Sequence, residues 1–444
     1  MKNKIKNQIT NIHRAAAIAA ILLIAFSFCS CGARNLADNE LPQIQPQTTE
    51  IRVFTNLPDR TNGQGKAEQL IFDAYEKQNP GVKISVEALD DEAYKVKFRA
   101  YASGTDMPDL VSVWGQPGFI SEIIEAGLLF PLNETDYASY GFIEGSLDGF
   151  RSETGELYGL PRNTDVSAFY YNQVIFDRYG WQVPETFGEL VRLCGEIRAA
   201  GLEPVAIAGA DKWPLALFFN DILTKFYGKE LAPFYTEALS GAGFGEKPMF
   251  RELSWLFRDN ASGIFQRGFE TQDYGTAFNL FANGRAAMYY NGSWQMSMAN
   301  DPAVPSEMRE NIHVFTMPPL TPDTNGAKDI AAWNGGGHSV TSAGGQRDEA
   351  LKLLNYMYLP ENWSRIAWQN NICMSAQDFA QYKTGNEPPV QLEFTEIVGN
   401  AAGFSGTPLN DRFTAQFKTD CENLCQSLAT TMITPAQFIA GLTE

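Results

Sequence analysis

From Ile51 onward, short apolar runs alternate with longer stretches whose apolar residues recur at helical spacing. Ile51–Thr55 reads as a strand, and Gly65–Gln78 as an amphipathic helix built on Leu70, Ile71, Ala74 and Tyr75 and stopped by Asn79-Pro80-Gly81. Val82–Glu87 is a second strand, Asp91–Ser103 a helix ending at Gly104, and Asp109–Trp114 a third strand, followed by a helix from Gly118 to Gly127. Strands separated by helices of this length require parallel β-α-β units, so the pattern predicts an α/β fold.

A second unit of the same kind opens after Arg151–Pro161. Val166–Asn172 reads as a strand, and Thr186–Ala200 as a helix with Thr186 and Glu189 spaced as a capping box and Gly201 as its stop. Val205–Ala208 is a buried strand and Trp213–Tyr227 a helix rich in Leu and Phe, after which helices dominate up to Asn283. Within Phe278–Gln295, Asn283-Gly284 ends a helix, Ala286–Tyr290 is a short buried strand, Asn291-Gly292 turns the chain, and Ser293 caps a new helix with Trp294 in its first turn. Ile312–Met317 returns as a strand before Pro318-Pro319. The Gly-rich run Trp333–His338 leads into a strand near Ser339–Thr341, and the chain from Gln346 is mostly helical to Thr434–Thr443.

Length then sets the number of units: 444 residues exceed one ordinary core and suggest two or three. The first thirty residues are not part of the fold. A basic start carrying Lys2, Lys4, Lys6 and Arg14 precedes the apolar run Ala15–Phe28, which has the length of a signal-peptide core. The following Phe28-Cys29-Ser30-Cys31-Gly32 resembles the bacterial lipoprotein signal and places a lipid on Cys31, although Phe28 and Cys29 depart from the usual residues. An ordinary signal peptide ranks second and an uncleaved anchor last. Residues 33–50 are polar with two prolines and read as a disordered tether reaching roughly 25 Å. The net charge of −18 becomes more negative once the basic leader is removed. Such a surface repels nucleic acid and anionic lipid and favours an uncharged ligand.

Enzyme motifs are mostly missing. The chain has no Gly-x-Ser-x-Gly, His-Glu-x-x-His, Walker or Gly-x-Gly-x-x-Gly motif, and beyond the leader only His313 and His338 occur. No metal site and no cofactor are expected. A pair of glycosidase carboxylates is not identifiable among so many acids. Export permits a disulfide among Cys194, Cys373, Cys421 and Cys425, but their spacing is not that of a disulfide scaffold. The distinctive feature is tryptophan at the loop-facing ends of strands: Trp114, Trp213, Trp294 and Trp333. Taken singly, each is as readily a core residue; together they suit a sugar, whose apolar face packs on flat rings while Asp, Asn, Gln and Arg bond its hydroxyl rim.

Several collinear segments add to this pattern: Phe72–Ile84, Gly104–Leu110, Tyr158–Pro161, Phe169–Asn172, Pro184–Phe187, Phe281–Met288 with Gly292-Ser293-Trp294, Gly335–Gly337 and Thr434-Pro435. On these the chain resembles bacterial extracellular solute-binding proteins of the maltose/multiple-sugar group, the capture subunits of ABC importers. The resemblance implies a two-lobed, periplasmic-binding-protein-like fold of type II with discontinuous lobes and hinge crossovers. The lobes are set at 51–161 with 318–360 and at 162–317 with 361–444, behind a signal peptide (1–30) and a lipidated tether (31–50).

It also implies ligand contacts from Asn56, Asn62 and Gln64 after the first strand, from Trp114 and Gln116 after the third, and from Asp165 and Trp294. Asp211, Trp213, Trp333 and Asn334 follow, with Arg412 or Phe404 reaching in from the last segment. The implied protein is a monomeric sugar receptor, lipid-anchored to the outer face of the cytoplasmic membrane, that delivers a neutral mono- or oligosaccharide to permease subunits and binds no nucleic acid. The rival readings are a polyamine, phosphorylated polyol or metal chelate in the same fold, a surface glycoside hydrolase, and an adhesion or scaffold protein.

Overall fold

Two mixed sheets, each covered by helices, organise the chain in the computed structural model, which describes residues 48–239 and 243–442. The leader, Cys31 and the tether lie outside those residues. The first sheet runs β2-β1-β3-β10-β4, from β1 (Thr49–Thr55), β2 (Val82–Ala88), β3 (Leu110–Trp114), β4 (Leu160–Pro161) and β10 (Gly336–Val340). β1 is parallel to β2 and β3, as helices Gly63–Gln78 and Asp91–Ala102 between them require, while β10 enters antiparallel from much later in the chain. In the first of these helices Ala67, Ile71, Phe72 and Tyr75 point inward against this sheet.

The second sheet runs β6-β7-β5-β8, from β5 (Thr164–Asn172), β6 (Glu203–Ala206), β7 (Ala286–Gly292) and β8 (Ile312–Phe315); β9 (Ala332–Asn334) pairs with the start of β5. β5 and β7 are buried along almost their whole length, because the apolar helix Trp213–Tyr227 packs on one side and Tyr274–Ala282 on the other. Each sheet has its own core, so the chain forms the two-lobed α/β fold expected of it.

Three crossings join the lobes. Arg162-Asn163 links β4 to β5, Gly335 links β9 to β10, and the segment Cys373–Ser375 passes from the first core to the second. They lie against one another: Arg162 N–H donates to Gly336 O, Gly335 N–H to Asn163 O, and Ala376 N–H to Arg162 O. A side chain at 335 would meet Asp165 Oδ2 at 2.4 Å and Asn163 Nδ2 at 2.5 Å, so only glycine lets the strands approach this closely.

The lobe limits differ from those expected. Ile330, Ala331, Ala332 and Trp333 pack in the second lobe because β9 pairs with β5, so the first lobe resumes only at β10. Trp363, Ala367, Ile372 and Cys373 belong to the first lobe, since the helix Trp363–Gln369 covers its sheet. The turn and cap expected after Tyr290 also differ. Asn291-Gly292 continues β7, and the following turns are a 3₁₀ helix, Ser293–Asn300. Ser293 does not cap it; its hydroxyl accepts from Val166 N–H at 3.2 Å, tying the end of β7 to the crossover strand.

Candidate functional site

The carboxyl ends of β1, β2 and β3 open toward the second lobe, as open α/β sheets require of a ligand crevice. Between the lobes lies a cleft of about 700 Å³. Asn56, Asn62 and Gln64 enter it after β1, Trp114 and Gln116 at the end of β3, and Asp165 from β5. Asp211, Trp213, Trp294 and Trp333 complete the far wall. The cleft therefore brings together ten of the eleven residues expected at the site. Asn334 is the exception: its carbonyl accepts from Gln116 Nε2 at 2.8 Å and its amide donates to Gly145 O at 3.2 Å, so it braces the wall without lining it. Phe404 is half exposed beside Ile330, and Arg412 lies over the Tyr235 ring; neither lines the cleft. The last segment contributes Asn410, Asp411 and Lys418 in their place.

Trp294 sits in the middle of the aromatic wall. Its ring is 5.8 Å from Trp213 and 6.2 Å from Trp333, and its Nε1–H donates to Tyr274 Oη at 3.2 Å. The indole folds back over Gly292, where a Cβ would stand 2.0 Å from it; glycine at 292 thus makes room for the ring. Trp114 faces this wall from the other lobe, held edge-on by Phe119 at 4.8 Å with Lys95 Nζ 5.6 Å above it.

Polar groups surround the rings. Asn56 is locked between Arg162 Nη2, which donates to its Oδ1 at 3.2 Å, and Asp91, which accepts from its Nδ2 at 2.8 Å. Behind it, Arg162 Nη1 lies 3.5 Å from Glu68, which also receives Arg60 at 2.5 Å, His338 Nε2 at 2.7 Å and the Thr55 hydroxyl at 3.1 Å. Burial alone would raise the Glu68 carboxyl, but the His338 hydrogen bond and the nearby guanidinium charges hold it at about 2. Arg162 is thereby neutralised from behind. Lys418 is likewise spent on Asp411 and Glu422, and Lys95 on Glu92.

Asp165 has the opposite environment. It is 6% exposed, accepts a hydrogen bond from Asn163, and is pushed up to about 8 by burial against the opposing pull of Arg162. In the ligand-free chain the folded state then holds a proton that the unfolded chain has released. Stability is expected to fall as pH rises from the ordinary aspartate value of 3.8 to about 8. Asp165→Asn should flatten that slope, read from urea midpoints across the range; an unchanged slope would assign the proton elsewhere.

Sequence reasoning missed Asp90, Asp91, Glu92 and Lys95 at the start of the helix after β2, along with Tyr274 and Gln295. The first four were detectable, because the strand-end rule that singled out Trp114 and Trp294 applies equally to the end of β2. Among the described residues no group of acids, histidines or cysteines could hold a metal ion, and Cys194, Cys373, Cys421 and Cys425 are buried free thiols.

Two α/β lobes hinged over a tryptophan-walled polar cleft define a ligand-capturing receptor. The chain belongs to the bacterial extracellular solute-binding proteins, whose family model matches residues 58–362. Its relatives include the multiple sugar-binding protein of Streptococcus mutans, 25% identical over 323 residues that span 70% of this chain and 72% of that protein. Among solved structures, one from work on xylan utilisation by Caldanaerobius polysaccharolyticus superposes with a TM-score of 0.79 at 22% identity, over 89% of this chain and 99% of that one. The binding protein RafE in complex with raffinose superposes at 0.69 and 23% identity, over 89% and 98%. Among the described residues no helix is long and apolar enough to cross a membrane.

Proposed function

We propose that the chain is the extracytoplasmic carbohydrate receptor of an ABC importer, closing its lobes over a mono- or oligosaccharide and passing it to membrane permease subunits. The observation that carries this reading is the convergence of Trp114 from one lobe with Trp213, Trp294 and Trp333 from the other on one cleft rimmed by Asn, Gln and Asp side chains. Rings cover the C–H faces of a sugar and the rim bonds its hydroxyls. Closure follows from binding because only the closed form lets both lobes touch the guest at once. A multiple-sugar-binding relative and a raffinose-bound structural neighbour support the ligand class. A phosphorylated guest is disfavoured, because the cleft's Lys95, Arg162 and Lys418 are each already paired with a carboxylate. In the exported protein, a lipid on Cys31 holds a monomer at the outer face of the cytoplasmic membrane.

The test is a thermal-shift screen of the mature chain against mono- and oligosaccharides, followed by titration calorimetry. A cognate sugar at a hundredfold excess over its dissociation constant should add about 2.7 kcal/mol of stability. Silence across the panel would refute the receptor reading, and release of new reducing ends from an oligosaccharide would turn it into an enzyme.

A further inference from the structure

Between its two walls the cleft is floored by the crossovers, and Arg162, Asn163 and Gly336 all line it. Arg162 and Asn163 are each 2% exposed. A guanidinium carries more N–H donors than any other side chain. That of Arg162 makes a single hydrogen bond among the described residues, from Nη2 to Asn56 Oδ1 at 3.2 Å. Its Nη1 meets Glu68 only as an ion pair at 3.5 Å, and its Nε has no hydrogen-bond partner there. Glu68 thus answers the charge of Arg162 without using up its donors.

Asn163 is short of the opposite kind of partner. Its Nδ2 donates to Asp165, while its Oδ1 is buried and receives no hydrogen bond among the described residues. With the NH2 group spent on Asp165, what remains is an acceptor. The two side chains are held close to the crossover backbone. A side chain at 336 would stand 2.2 Å from Arg162 Nη2, and one at 335 would stand 2.5 Å from Asn163 Nδ2, so glycine at both positions lets them lie there. Because successive residues of an extended strand face opposite sides, the donors flank the floor on one side and the acceptor on the other. Buried polar atoms are ordinarily satisfied, and leaving them unpaired is costly. Such atoms on two adjoining residues that line one cleft point to a partner from outside the chain.

We propose that Arg162 and Asn163 are guest-binding residues of the cleft floor: Arg162 donates to an oxygen of the sugar, and Asn163 Oδ1 accepts from one of its hydroxyls. The inference rests on the receptor reading and deepens it. Donors whose charge is already answered suit a hydroxyl or ring oxygen better than a carboxylate, which would set a second negative charge beside Glu68. Both residues sit in the crossovers and on neither wall. They therefore meet the guest before closure, whereas the tryptophans of the two walls act together only after it.

The experiment titrates the mature chain with glucose, galactose, maltotriose, raffinose, xylotriose and chitotriose, then solves the crystal structure with whichever of these binds most tightly. Sugar oxygens are expected within about 3.2 Å of Asn163 Oδ1 and of Arg162 Nε or Nη1. Asn163→Ala removes the acceptor, and Arg162→Lys keeps a positive charge for Glu68 while losing the guanidinium fork. Each should weaken binding of that sugar about tenfold, with urea midpoints showing that the variant is folded. Should a variant fail to fold, the complex of the unaltered chain decides. A complex in which either group contacts water or protein but no sugar oxygen would overturn the proposal while leaving a carbohydrate receptor standing. Affinity within about twofold of the unaltered chain in either folded variant would do the same. Silence across the whole panel would instead bring down the receptor reading, and this proposal with it.

Discussion

Trp294→Ala is expected to weaken binding of the cognate sugar by about thirtyfold or more, the loss that follows when a central tryptophan anchor is removed. The ring is the hub of its wall, touching Trp213 and Trp333 and bonding Tyr274, whose hydroxyl is in turn shared with Gln295. Its removal strips the flat face on which a sugar would lie and frees Tyr274 to move. The core of the second lobe is built from other residues, Phe169, Phe218, Phe265 and Tyr290 among them, so unfolding should stay cooperative. Calorimetry with the sugar found in the screen measures the loss, and Trp294→Phe should restore part of it. Unchanged affinity in the alanine variant would move the binding surface away from this wall.

Glu68→Leu is expected to cost about 3–5 kcal/mol of folding stability, the penalty for breaking a buried ion pair from one side. The carboxylate answers Arg60, Arg162 and His338 together, and the leucine would leave those groups facing an apolar chain. Urea midpoints measure the loss; a change of under about 1 kcal/mol would mean that these groups find other partners.

The same carboxylate sets an acid limit. Its folded value of about 2 lies below the ordinary 4.5, so its contribution is fully present above 4.5 and is lost as pH falls from there toward 2. His338 acts in the same direction. Burial lowers its pKa, so it resists the proton that the unfolded chain takes up below the ordinary histidine value. Glu68→Gln should remove the carboxylate part of this acid loss while keeping a group of similar shape.

Local pattern carried much of the architecture. The β-α-β spacing up to Trp114 depends only on short-range periodicity, and the strands and helices appear within a residue or two of where it places them. The helix Trp213–Tyr227 has the limits its apolar density predicts. Cleft-lining tryptophans were legible for a related reason: an aromatic residue just past a strand's carboxyl end has few places to go except the crevice there.

Pairing across long stretches of chain was not legible. Local hydrophobicity cannot tell that β9 pairs with β5, one residue before the chain joins the first sheet as β10, because both strands are short and neither has a hydrophobic period of its own. The turn and cap expected at Asn291–Ser293 failed for the same reason. Gly292 is there for the Trp294 ring and Ser293 for a crossover strand more than a hundred residues away. Arg412 has the residue type of a ligand contact, yet its guanidinium is drawn over Tyr235, while Asn410 and Asp411 reach the cleft.

The amino-acid sequence by itself determined the element order, the α/β class, the residue types that can hold a sugar and the strand-end tryptophans that line the cleft. These follow from periodicity, turn chemistry and composition, all of which act over a few residues. Only the tertiary structure decided where the lobes divide, that Arg162 is neutralised by Glu68 from behind, and that acids of the two lobes meet across one cleft. Those facts depend on distances between residues far apart in the chain, and no local interaction encodes such a distance until the crossovers bring the lobes together.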